Sequence, residues 1–357
     1  MSKRSAMKNK YDMTDNHYTA FFYVHFNEFP PYPSQQQIYA GVSRDGLHWS
    51  ALNNNNYILA SDINEKAARD PFIIRAVGQN KFYMLATDQD LYREEYRQDE
   101  NPDQLDWAKL DSNGSQDIIV WESNDLIHWD NCWALKVGDY YDAGCCWAPK
   151  AIYDYQSGDY FLMWSSTVKS EGSRQLRVFA AKTKDFKTIT RPCLYTEPQR
   201  WAIDTSVYFD QRKKRYYRLS KLDNRNVIEH SDSLYDMEHV TSVKIGNYWF
   251  PYIGANFNRI NNKEKDCLES FVGPYEGAAL FKMLDGKTYG ILIDEYGNEK
   301  RGYILFTTDD LDHPNSIKIA KQDSYQMPPG AKHGCVIPIT EKEYLRLKLT
   351  YGKSINM

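Results

Sequence analysis

A short phrase recurs five times along this chain and limits what it can fold into. Ser or Thr, any residue, usually Asp, then a hydrophobic residue and often Trp, reads as SRDGLHW from Ser43, SNDLIHW from Ser123, TKDFKTI from Thr183, SDSLYDM from Ser231 and TDDLDHP from Thr308. Each copy follows a β-rich run: QQIYAGV, DIIVWE, LRVFAA, NVIEH and GYILFT. Ser and Asp side chains bond their own following backbone and turn the chain, so the phrase marks the end of a strand. A repeated unit of strand and polar turn cannot bury both faces alone and must stack on its copies.

A second series of strands interleaves with the first: RDPFIIR, WAPKAIYD, AIDTSVYFD, YEGAALFK and HGCVIPIT. Four of these run on into KFYMLATD, DYFLMWSS, RYYRLSK and KTYGILID, so one repeat amounts to three or four antiparallel strands. The fifth repeat is split, with HGCVIPIT near the C-terminus and its partners AFFYVHF and QQIYAGV near the N-terminus. Radial repetition with the ends paired is an all-β, five-bladed β-propeller, which leaves only short, protected sheet edges. The expected organisation is a tail over 1–17, one propeller domain over 18–350 and a tail over 351–357. The copies are spaced 80, 60, 48 and 77 residues apart, too unevenly for a WD-type array. The extra length falls between Gln89 and Gln116 and between Glu238 and Pro274, and such insertions rim binding faces.

Composition narrows the partner. With 44 basic and 48 acidic residues the net charge is −4, so a broad phosphate-binding surface, and with it nucleic acid, is disfavoured. Aromatic residues reach 15%, which suits strands and stacking on ligand faces alike. No run approaches the length of a membrane span, and the basic start lacks the apolar stretch of a secretory signal, so the expected location is cytoplasmic. Six cysteines without CxxC spacing read as reduced, mostly buried thiols. The cluster Arg212, Lys213, Lys214 and Arg215 reads as a solvated hairpin turn.

In a propeller the first strand of every blade lines the axis, so residues at these strand starts converge. Three starts carry an acid: Asp70, Asp204 and Glu276. Carboxylates so gathered repel one another and lose solvent, which drives their pKa values apart and lets one serve as acid and another as base, the division glycoside hydrolysis requires. Any one of them alone reads equally as a strand cap. Trp147 has two readings, a stacking face for a sugar or blade-core filling. There is no P-loop, GxSxG or GxGxxG signature, and no HxxxH or CxxC metal pattern.

The strand starts ARDPFIIR, WAPKAIYD, AIDTSVYFD and YEGAALFK, the Ser-Asp-Leu-Trp phrases and HGCVIPIT together resemble family 43 of the glycoside hydrolases, over about residues 18 to 350. The resemblance implies an inverting hydrolase of arabinofuranosides, xylosides or related pentose and galactose linkages, with Asp70 as general base, Glu276 as general acid and Asp204 as the group that orients and tunes its partner. It implies a small oligosaccharide as substrate and no required cofactor, with Trp147 and His333 on the substrate side. It also leaves place for a structural calcium on the axis, held through water near His333; the rival is a buried histidine bonded to backbone. Lys150 departs from the family, which often has an acid after WAP. The two insertions, with Tyr248, Trp249, Phe250 and Tyr252 in the second, are expected to wall one end of the pocket or to pack on the rim, and a walled pocket favours exo cleavage. A β-D-galactofuranosidase is the nearest alternative, and a catalytically silent sugar-binding propeller the non-enzyme one. The oligomeric state is open.

Overall fold

The computed structural model describes residues 17–27, 36–259, 273–296, 302–313 and 316–352. Residues 1–16 and 353–357 of the expected tails, Cys267, and residues 260–272 of the second insertion lie outside the described residues.

Alternation with period two places successive side chains on opposite faces of a strand, and here both faces are apolar. Ala20, Phe22 and Val24 pack with Met84, Ala86 and Trp121 on one side, while Phe21 and Tyr23 pack with Phe281, Leu292 and Leu305 on the other. Such a sheet is stable only between two neighbours. Five sheets result, and five apolar clusters fill the gaps between them.

The first blade is built from Ala331–Thr340, Tyr18–Asn27, Tyr39–Ser43 and Trp49–Ala51, innermost strand first. Its inner pair joins the two ends of the chain, with Ala20 opposite Ile339 and His25 opposite Gly334, as the split repeat requires. The second blade holds Arg69–Arg75, Phe82–Thr87, Ile118–Ser123 and Asp130–Leu135. The third holds Trp147–Asp154, Asp159–Ser166, Arg177–Thr183 and Cys193–Leu194. The fourth holds Ala202–Asp210, Arg215–Leu222, Arg225–Ser231 and Asn258–Arg259, and the fifth Tyr275–Lys282, Tyr289–Glu295, Gly302–Thr308 and Lys318–Ile319. Each inner strand packs on the next, and the fifth on the first, which closes the ring.

The recurring phrase turns the chain as its chemistry dictates. Asp45 Oδ1 accepts from the backbone N–H of Leu47 and His48, each at 2.8 Å, and Asp125 Oδ1 accepts from Ile127 and His128, each at 2.9 Å. The basic cluster does sit in a hairpin turn, between Asp210 and Arg215. Among the described residues, Cys132, Cys145, Cys146, Cys193 and Cys335 are all free thiols.

The second insertion decides between the two readings of its aromatic run. Thr241–Ile245 and Tyr248–Tyr252 form a hairpin that extends the third blade outward, through parallel pairing of Leu194 with Tyr252. Phe250 is buried in the cluster between the second and third blades, with Tyr248 and Tyr252 against it, and Trp249 faces solvent. This aromatic run is blade packing and forms no wall of the pocket.

Candidate active site

All five inner strands carry the same irregularity near their start. Two residues stand against one on the neighbouring strand between Arg69 and Phe72, Trp147 and Lys150, Ile203 and Ser206, Glu276 and Ala279, and Ala331 and Gly334. A bulge of this kind bends the strand and re-aims its side chains. In four blades the first of the two bulged residues is left-handed, with φ of 50° at Asp70, 50° at Ala148, 57° at Asp204 and 66° at Gly277. Aspartate tolerates that region better than most residues, whereas at the fifth blade only glycine fits, since a Cβ on Gly277 would lie 2.6 Å from the His333 ring.

The bulges are tied to one another around the axis. Thr87 Oγ1 donates to Asp70 Oδ2 at 2.8 Å and accepts the backbone N–H of Ala148, also at 2.8 Å. Asp204 Oδ2 accepts the backbone N–H of Gly277 at 3.1 Å. His333 from the first blade lies between the two acids, with Nδ1 3.2 Å from Asp70 Oδ1 and 3.8 Å from Asp204 Oδ1. The expected backbone partner for this histidine gives way to two carboxylates, because the bulge in its strand turns the ring toward the axis.

The two aspartates respond differently. Burial would raise the Asp70 carboxyl, but contact with His333, the Arg69 charge and the Thr87 hydroxyl outweigh it and hold this group well below the usual carboxylate range. Burial pushes Asp204 up to about 6; His333 and Lys221 oppose this rise, and the charges of Glu276 and Asp70 reinforce it. Glu276 is the most exposed of the three, its side chain 34% accessible, and its Oε2 accepts from Lys221 Nζ at 3.0 Å. Lys221 also meets the Tyr296 hydroxyl at 3.0 Å. Asp294, across the strand pair from Glu276, is pushed up by burial to about 7 despite Lys332 at 3.3 Å.

Asp70, Asp204, Glu276, Trp147 and His333, named from the sequence on separate strands, all line one cavity of about 1010 Å³. The first insertion supplies a wall through Gln89, Leu91, Tyr92, Leu105 and Trp107. Trp107 opens a helix, Trp107–Asn113, capped by Asp106. Trp147 is half-buried and its Nε1 donates to Gln89 Oε1 at 2.8 Å, which fixes the indole edge-on to the insertion while part of the ring faces the cavity. Lys221, Lys332, Asp294 and Thr87 escaped the sequence reading. They lie on second strands, or beside a strand start without being acids, and only blade-to-blade packing brings them in.

The donor set at the axis does not fit a directly held cation. No group of three or more His, Cys, Asp and Glu side chains among the described residues has the geometry to hold a metal ion, and the third blade contributes the buried ammonium of Lys150 instead. His333 Nε2 is buried without a hydrogen-bond partner among the described residues, which suits a water molecule.

A family model described as "probable glycosyl hydrolase domain", of the glycosyl hydrolase 43-related group, matches residues 16–345. An α-L-arabinofuranosidase of Bifidobacterium longum subsp. longum is 27% identical over 193 residues, which is 50% of this chain and 17% of that protein. The chain thus spans less than a fifth of this curated relative. Among solved structures, an endo-1,4-β-xylanase from Bacteroides thetaiotaomicron aligns with a TM-score of 0.49 and 12% identity, covering 84% of this chain and 91% of its own. An exo-β-1,3-galactanase from Clostridium thermocellum aligns at 0.46 and 14%, covering 71% and 48%.

Proposed function

The chain belongs to the glycosyl hydrolase 43-related family, and from that premise we propose that it is an inverting exo-glycosidase that releases a terminal pentose from short oligosaccharides. The sugar we propose first is α-L-arabinofuranose, with β-D-xylose second. One observation carries the reading: carboxylates from the second, fourth and fifth blades line the same cavity in three different electrostatic settings.

In this reading Asp70, kept ionised beside His333, takes a proton from the attacking water. Glu276, the acid most open to the cavity, protonates the departing oxygen, and Lys221 fixes its direction. Asp204 orients the pair and adjusts its charge. Inversion needs room for water between base and anomeric carbon, which places acid and base roughly 6.5–9.5 Å apart. The wall formed by the first insertion supports attack from a chain end, and the arabinofuranosidase similarity supports the choice of sugar. A second reading makes Asp204 the proton donor, favoured by its raised pKa of about 6.

Release of nitrophenol from the α-L-arabinofuranoside, β-D-xyloside and β-D-galactofuranoside tests the sugar. The first is expected to react fastest, and a dominant galactofuranoside rate would replace the pentose assignment. Monosaccharide alone from arabinan or arabinoxylan oligosaccharides supports exo cleavage, and an early ladder of mid-length products overturns it. Glu276→Gln separates the two donors: it should slow natural linkages far more than nitrophenyl glycosides, whose leaving group needs little protonation, whereas equal slowing of both points to Asp204.

A further inference from the structure

Lysine is almost never fully buried unless it is paired. Lys150 is 2% exposed, and its Nζ has no hydrogen-bond partner among the described residues. It is the first residue past the bulge on the inner strand of the third blade, opposite Met163. The same register in the other blades holds Phe72, Ser206, Ala279 and Gly334, none of them charged. Lys150 Nζ lies 5.6 Å from the centre of the Phe72 ring, so its head group points toward the neighbouring second blade.

The charges around it are few and come from two different blades. Burial draws the ammonium below the usual lysine value, and Asp70 and Asp204 oppose this. The other lysines of the cavity are taken: Lys221 is bound to Glu276 and Lys332 to Asp294. Asp70 and Asp204 share the single Nδ1 of His333, with the Arg69 charge acting on Asp70 and those of Glu276 and Lys221 on Asp204. An isolated ammonium removed from water is costly, and nearby negative charge and the Phe72 ring face offset it.

We propose that Lys150 is a positioning residue: its buried, unpartnered ammonium, on the inner strand that packs against those of both Asp70 and Asp204, is a counter-charge that adds to His333, Arg69 and Lys221 in favouring the ionised acids, without touching substrate. It supplies from the chain itself the positive charge that the donor set is unsuited to take up as a directly held metal ion. The inference rests on the roles given above to Asp70 and Asp204.

Lys150→Met keeps the length and apolar stem and removes the charge. The variant should fold and melt at or above the wild-type temperature, because an unpaired buried charge is gone. Its pH–rate profile should move to higher pH by about half a unit to one unit, since both carboxyls lose a positive neighbour. The move should fall on kcat more than on KM and should persist at high salt, which screens buried charges poorly. Carboxyl ¹³C titration of aspartate-labelled protein, with Asp204→Asn to assign the signal, should show the same upward shift without any turnover. An unchanged Asp204 titration in Lys150→Met would overturn the inference, as would failure of both Lys150→Met and Lys150→Gln to fold, which would make the ammonium a structural requirement. A shifted titration in a protein whose wild type cleaves no glycoside would keep the charge role of Lys150 and discard the glycosidase reading. Normal wild-type cleavage with an unmoved titration would do the reverse.

Discussion

Asp70 and Asp204 stand at the same point of the same bulge in the second and fourth blades, both left-handed, with φ of 50° and 57°. Their carboxyls nevertheless move in opposite directions. Asp70 gains a hydroxyl donor, the closer approach of His333 and the Arg69 charge. Asp204 receives one backbone N–H, stands farther from the shared Nδ1, and faces the negative charges of Glu276 and Asp70. The repeated backbone therefore delivers carboxylates to the axis, and the neighbours that each blade happens to offer decide what they can do there. The repeat is an equal frame with unequal contents.

The comparison breaks most visibly at Asp70. Asp70→Asn should lower kcat/KM by about 10²- to 10⁴-fold, the range for loss of a general base, with the fold intact; steady-state kinetics beside a thermal melt checks it, and a loss within tenfold would remove Asp70 from that role. Asp204 gives the opposite signature in stability. Its folded pKa is raised, so the native state binds the proton more tightly than the unfolded chain, and stability falls as pH rises from the unfolded value through about 6. Asp204→Asn should therefore melt higher than wild type near pH 8, with the advantage fading near pH 4. Asp70, held below the usual range, has the reverse sign: its contribution is present above the unfolded value and is lost as pH falls toward the folded one. A smaller effect belongs to the frame. Gly277→Ala forces a Cβ against His333 and a left-handed alanine, which should cost about 1–3 kcal/mol and weaken the Asp70–His333 contact. Differential scanning calorimetry measures the cost, and an unchanged melt would show that the ring has room to move.

Much of the frame was legible because the turn chemistry is local. Ser43 with Asp45, and Ser123 with Asp125, bond their own next residues, and such patterns survive in a sequence without any knowledge of neighbours. The ring closure followed from the split repeat, and Asp70, Asp204 and Glu276 from their place at strand starts. The contents were less legible. Lys221 and Lys332 reach their acids across strands or blades, and Thr87 links two bulges, so their roles exist only after packing. The Tyr248–Tyr252 run was ambiguous because an aromatic segment reads alike as a pocket wall and as packing on the rim, and pairing with Leu194 decided between them. Lys150 stood out in sequence as an odd residue after Trp-Ala-Pro, but its isolation from any partner is a fact of three dimensions.

The stereochemistry of the first product tests the roles of the three acids most directly. Proton NMR of a fresh reaction on whichever nitrophenyl glycoside the protein cleaves best resolves the anomer released before mutarotation mixes the forms. If Asp70 activates water opposite Glu276, that anomer is inverted relative to the substrate. Release of the retained anomer would mean that a carboxylate had bonded to the sugar, and would contradict the division of labour assigned to Asp70, Asp204 and Glu276.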